Sequence, residues 1–120
     1  MNKTILITGA NRGIGLALTK FCLSKNFHVE ACCRNPDTSD ELNSLSINNT
    51  HLNINKMDVT STKSILSAAE NFKNEIDIMV CNAGVNNGKG DIFSEEHNEN
   101  AIMEVMMVNV GGPFLTIKNL

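Results

Sequence analysis

The chain contains no tyrosine in its 120 residues. A phenol is among the few side chains able to hand a proton to a developing alkoxide, and that option is missing here. Arginine is nearly as scarce: only Arg12 and Arg34 are present, and lysine carries the rest of the positive charge. With a formal net charge of −3 and no basic cluster, nucleic acid is not an expected partner. The four cysteines at 22, 32, 33 and 81 form no CxxC or Cys/His spacing, and His28, His51 and His97 are scattered, so no metal site is expected. Buried, reduced thiols are the reading for all four. No stretch approaches a membrane span, and Met1–Ile7 is too short an apolar run for a signal peptide. A cytoplasmic protein without membrane contact is therefore expected. Repeats and linkers are absent as well, so 1–120 reads as a single domain. Asparagine, by contrast, is abundant, and the clusters Asn48-Asn49, Asn53/Asn55 and Asn86-Asn87 read as a compositional bias placed mainly in loops.

What is present alternates short apolar runs with amphipathic segments. Strands are predicted at Lys3–Thr8, His28–Cys33, Leu52–Val59 and Ile76–Cys81. A helix is predicted from Gly13 to about Lys25, with Ile14, Ala17, Leu18 and Phe21 on one apolar face. Pro36 and the polar run after it mark a loop leading to a short helix over Asp40–Leu45. The helix predicted over Ser61–Phe72 turns Ile65, Ala68, Ala69 and Phe72 inward. Asn86–Gly90 reads as a flexible loop. A last helix starts near Glu95, carries Ile102, Val105 and Met106, and bends near Asn109–Pro113; Met103, Met106 and Met107 are expected in ordinary core packing. Repeated β-α-β units imply a parallel sheet with helices on both faces, and Cys32 and Cys33, adjacent on one strand, must point to opposite sides of it.

Thr8-Gly9-Ala10-Asn11-Arg12-Gly13-Ile14-Gly15 lies between the first strand and the first helix. Glycines in that setting let the backbone approach a pyrophosphate, while the helix N-terminus adds partial positive charge. Gly9 permits the turn, Gly13 the close approach and Gly15 the packing of helix on strand. A dinucleotide cofactor is the implied ligand. Cofactor choice is read at the tip of the second strand, where a carboxylate would bond the adenosine ribose. The tip here is Cys32-Cys33-Arg34-Asn35, and Glu30 lies too early. Arg34 is a candidate partner for a 2′-phosphate, with Arg12 approaching from the glycine turn, so NADP is favoured over NAD. A charge-assisted contact of that kind is worth about 1.5–3 kcal/mol.

These residues resemble the classical short-chain dehydrogenase/reductase family over the whole chain, in family order and spacing. The resemblance implies an α/β, Rossmann-like fold and an oxidoreductase that moves hydride between NADP(H) and a carbonyl or alcohol. It implies that Asp58-Val59 contacts the adenine, that Asn82-Ala83-Gly84 steadies the sheet beside the cofactor, and that Asn109 is the helix asparagine of the catalytic tetrad. Cys33-Arg34-Asn35-Pro36 and Gly112-Pro113-Phe114 look most like the C-factor and sniffer-type carbonyl reductase branch. In that family a later strand supplies a serine and the next helix a Tyr-x-x-x-Lys pair, and neither is present here.

The resemblance thus implies a partial NAD(P)-binding domain over 1–120, truncated after the fourth strand and the following helix, with strand order 3-2-1-4. Catalysis by these residues alone is not expected, and a small-molecule carbonyl substrate is expected only where the missing half is supplied. An apolar edge at the fourth strand and a partly uncovered last helix are expected to favour self-association. Three readings stay open: the N-terminal part of an NADP-dependent reductase, a non-catalytic NADP-binding or partner-interaction module, and a decayed gene fragment.

Overall fold

The computed structural model describes residues 2–86 and 91–120. The part of the predicted Asn86–Gly90 loop beyond Asn86 lies outside the described residues, as does Met1. Four strands, β1 (Thr4–Thr8), β2 (His28–Cys33), β3 (Leu52–Lys56) and β4 (Ile78–Val80), form one sheet in the order β3-β2-β1-β4. All three pairings are parallel, with Ile5 opposite Val29 and Ile78, and Val29 opposite Leu52. The helices are α1 (Gly13–Ser24), α2 (Asp40–Ile47), α3 (Thr62–Ala69), α4 (Glu99–Met106) and α5 (Gly112–Asn119). Five residues of π-helix, Met107–Gly111, join α4 to α5. This Rossmann-like α/β arrangement is the predicted one, and the π-helical segment sits where the bend was expected. β3 and β4 stop earlier than predicted because their last residues leave the ladder to form the turns that carry Asp58 and Asn82.

Side chains alternate across the strands. Ile5, Ile7, Val29, Ala31 and Cys33 pack with Leu16, Cys22 and Leu42 on one face of the sheet. Leu6, Cys32, Met57 and Val59 pack with Ile65 and Ala68 on the other, joined by Val108 and Leu115. Cys32 and Cys33 therefore do face opposite ways, and burial raises the pKa of each thiol, which keeps both protonated.

Three expectations are corrected. Of the apolar face read for α1, only Leu18 packs partly against the core: Ile14 is 79% and Phe21 57% exposed, while Gly15, Leu16, Thr19 and Cys22 meet the sheet. The close approach at Gly15 selects the small-residue side. The methionines of the last helix are not core either; Met103, Met106 and Met107 are exposed along with Ile102, Val110, Phe114 and Ile117. Finally, 99–119 forms a continuous helix of 21 residues that is long and apolar enough to span a bilayer by length and composition, where the sequence showed no such stretch.

Asn53 and Asn55 lie in β3, not in a loop. Their side-chain amides donate to Glu30 Oε1 at 2.6 and 3.0 Å, and the Lys73 backbone N–H donates to Glu30 Oε2 at 3.3 Å. A buried carboxylate in a parallel sheet needs such partners.

Candidate functional site

β1 ends in a turn that the rest of the sheet grips. The buried Thr8 hydroxyl accepts from the backbone N–H of Asn82 at 3.0 Å and of Ala83 at 2.9 Å. Asn82 Nδ2 donates to the Thr8 and Gly9 carbonyls, both at 3.2 Å. Ala10 N–H donates to the Cys32 carbonyl at 3.1 Å. The chain must then reverse into α1, and it does so with φ of 64° at Gly9 and 55° at Gly13, values that an L side chain resists. A Cβ at Gly15 would stand 2.1 Å from the Gly9 carbonyl oxygen, whereas a Cβ at Gly13 would meet nothing within 4 Å. The same motif therefore holds one glycine for packing and another facing open space.

That space lies at the N-terminus of α1. The first helical N–H groups have no intrahelical partner. The Arg12 side chain makes no capping bond to them, and no acidic residue occupies the first turn. An anion meets positive potential there from both the backbone and Arg12.

The tips of β2 and β3 form the next wall. Arg34 is exposed at the end of β2 and forms no ion pair among the described residues, where Lys20–Glu41 at 3.4 Å is the one salt bridge. Glu30 is 1% exposed, committed to Asn53 and Asn55, and does not line the cleft. After β3, Asp58 Oδ1 accepts from Thr60 N–H at 2.9 Å and Thr60 Oγ1 at 2.7 Å, while Asp58 N–H donates to Ser64 Oγ at 2.8 Å. This tight turn presents Asp58 and Val59 at the rim. Gly112 of α5 packs so closely on Val59 that a Cβ there would come within 2.7 Å of Val59 Cγ2.

After β4 the chain runs through Asn82-Ala83-Gly84 to Val85. Asn109, in the π-helical segment, accepts from Val85 N–H at 2.8 Å and donates to the Val85 carbonyl at 2.9 Å. Both ends of its amide are thereby committed to holding this loop.

The cleft bounded by these turns has a volume of about 700 Å³. Of the residues singled out from sequence, Gly9, Asn11, Arg12, Gly13, Ile14, Arg34, Asp58, Val59, Asn82, Ala83 and Gly84 all line it. Thr8 and Gly15 lie behind the wall, one as a hydrogen-bond clamp and the other as a packing contact. Asn109 is not among the lining residues; it acts on the rim through Val85. Cys33, Asn35, Thr38, Met57, Thr60, Val85, Glu104, Met107 and Val108 line the cleft without having been assigned to it. Cys33, Asn35 and Met57 are sequence neighbours of assigned residues. Glu104, Met107 and Val108 share one helical face, a spacing of three and four that was legible once the helix was drawn.

The family model described as short chain dehydrogenase matches residues 3–120. An uncharacterized oxidoreductase of Schizosaccharomyces pombe is 39% identical over 84 residues, covering 68% of this chain and 27% of that protein. The short chain dehydrogenase gsfK of Penicillium aethiopicum is 32% identical over 98% of this chain and 49% of its own length. Among solved structures, an NADPH-bound carbonyl reductase from chicken fatty liver superposes with a TM-score of 0.87 at 28% identity, over 98% of this chain and 50% of that one. The chain thus spans about half the length of the relatives it matches from end to end.

Proposed function

This chain belongs to the short-chain dehydrogenase family, and from that premise we propose that its 120 residues are the NADP-binding part of a carbonyl reductase. One observation carries the proposal: the open side of Gly13, the uncapped N-terminus of α1, Arg12 and Arg34 all face a single cleft. These residues fit a nicotinamide dinucleotide. The first turn of α1 would take its pyrophosphate, and Asp58-Val59 would border its adenine. Arg34 would hold a 2′-phosphate, with Arg12 contributing charge from the other side. When bound, the cofactor supplies hydride. The likeness to an NADPH-bound carbonyl reductase supports this choice of cofactor and reaction class.

The chain's own residues bind and orient the cofactor, and Asn109 holds the loop at the nicotinamide side through Val85. With no tyrosine present, the group that protonates the substrate oxygen is proposed to come from outside these residues, as is most of the surface that recognises a small carbonyl substrate. The alternative, a binding module that never turns over substrate, rests on the same missing phenol. Adding a chain segment that bears the serine and the Tyr-x-x-x-Lys pair discriminates the two: carbonyl-dependent NADPH oxidation supports the reductase, and its absence in a folded complex supports the module.

The cofactor assignment is tested by titrating this chain with NADPH and with NADH. NADPH is expected to bind more tightly, and Arg34→Asp to lower the NADPH:NADH affinity ratio at least tenfold, the equivalent of about 1.4 kcal/mol. An unchanged ratio refutes the role given to Arg34.

A further inference from the structure

Ser39 stands at the N-cap of α2, where a serine hydroxyl ordinarily accepts a bond from the second or third helical N–H. It makes no such bond here. Its Oγ instead turns back along the chain and donates to the Asn35 carbonyl at 2.9 Å. A hydroxyl has one proton to give. The 3.7 Å contact between Ser39 Oγ and Cys33 Sγ is therefore a thiol S–H donated to the hydroxyl. Burial keeps that thiol protonated and able to donate. Ser39 is itself 5% exposed. A single buried hydroxyl thus ties down the residues on both sides of Arg34. The same loop is knotted further: Thr38 N–H and Thr38 Oγ1 each donate to the Asn35 carbonyl at 3.3 Å, and Asn43 Nδ2 donates to the Pro36 carbonyl at 2.7 Å.

We propose that Ser39 is a positioning residue for cofactor selection: by bridging Cys33 and Asn35 it holds the backbone from which Arg34 reaches a 2′-phosphate. The inference rests on the reading of Arg34 given above. Gripping a ligand costs a long side chain its rotamer freedom, and a stem that is already fixed lowers that cost. NADH lacks the phosphate, so the benefit falls on NADPH alone. A serine that served only to cap α2 would point forward into the helix and would affect both cofactors equally.

The test is a set of NADPH and NADH affinities for this chain and its variants, with cooperative thermal unfolding as the check on folding. Ser39→Ala is expected to lower the NADPH:NADH ratio about three- to tenfold, the worth of one net hydrogen bond. In an Arg34→Ala background the same substitution is expected to leave the ratio unchanged, because the two act through one contact. Thr38→Val removes the exposed hydroxyl on the same carbonyl and is expected to give a smaller fall. It decides the matter if Ser39→Ala does not unfold cooperatively. An equal loss of both cofactors in Ser39→Ala overturns the proposal, as does an undiminished effect in the Arg34→Ala background or, where Thr38→Val must decide, an unchanged ratio. An unchanged ratio in Arg34→Ala by itself refutes the underlying assignment of Arg34, and the role of Ser39 falls with it.

Discussion

Gly13→Ala and Gly15→Ala add the same methyl group two residues apart and are expected to damage different properties. At Gly15 the new Cβ would lie 2.1 Å from the Gly9 carbonyl oxygen and 2.6 Å from Asn82 Nδ2, far inside an optimal separation of roughly 3.5 Å. Its opponents are backbone and a clamped amide, so α1 must slide away from β1. Overpacking of this kind costs typically 1–3 kcal/mol, and a rigid opponent places the expected loss near ~3 kcal/mol. For a chain whose whole stability is of order 6–18 kcal/mol, scaling roughly 0.05–0.15 kcal/mol per residue, that is a large fraction. It corresponds to a fall in melting temperature of about 10 °C or more. At Gly13 no atom lies within 4 Å of the added methyl group. The cost is then that of a left-handed alanine, about 1–2 kcal/mol, and the melting temperature should fall by only a few degrees, roughly half as far. The methyl group, however, enters the space where the pyrophosphate is placed, and NADPH affinity should drop by about tenfold or more. Urea unfolding with and without NADPH separates the two effects. Gly13→Ala should lose roughly half as much stability as Gly15→Ala without cofactor and gain little when NADPH is added, and Gly15→Ala should show the larger loss in both conditions. If Gly13→Ala binds NADPH as tightly as the parent, the ligand does not approach through that opening. If Gly15→Ala unfolds at the parent midpoint, the tight packing of α1 on β1 is not real.

Two further outcomes follow from the buried polar groups. Glu30→Ala removes the buried carboxylate that Asn53 and Asn55 share, leaving Asn53 only its bond to Asn71 and Asn55 only its bond to Asn53, and is expected to cost about 2–4 kcal/mol; the NADPH:NADH ratio should stay at the parent value, and a change in it would mean that Glu30 reads the cofactor after all. Burial, reinforced by the charge of Glu30 and the neighbouring Cys33, raises the pKa of the Cys32 thiol above its ordinary value. Above about pH 8.5 the unfolded thiol ionises while the folded one keeps its proton, so stability present at neutral pH is lost as pH rises. Midpoints of urea unfolding at pH 7 and pH 10 should differ less in Cys32→Ala than in the parent, and equal differences would refute the assignment.

Much of the site could be read before any coordinates, because its parts are short and local. Thr8–Gly15 couples a strand end, a turn and a helix start within eight residues, and each glycine has a local reason to be there. Asp58-Val59 and Asn82-Ala83-Gly84 each follow a strand, and the family resemblance is what implied their place at the site. Some residues that escaped assignment, such as Cys33, Asn35 and Met57, sit beside assigned ones; others have neighbours that are distant in sequence. Glu104, Met107 and Val108 reach the cleft only because the last helix packs back over the turn after β3, with Gly112 against Val59. Periodicity also failed for α1. Two apolar faces compete on that helix, and the preference for the one bearing Gly15 arises from the approach of the Gly9 carbonyl, which no pattern of hydrophobic residues encodes.

By itself, then, the sequence determined the glycine turn, the absence of a phenol and the position of Arg34 at a strand tip, since each follows from composition or from spacing along the chain, while the strand order was implied by the family resemblance. Tertiary structure alone decided that Asn53 and Asn55 would close on a buried carboxylate, that Asn109 would hold Val85, and that Ser39 would turn from its helix toward Cys33 and Asn35. A side chain's hydrogen-bond partner is chosen by what the fold brings within about 3 Å of it, and for these residues several partners were equally available until the chain had folded.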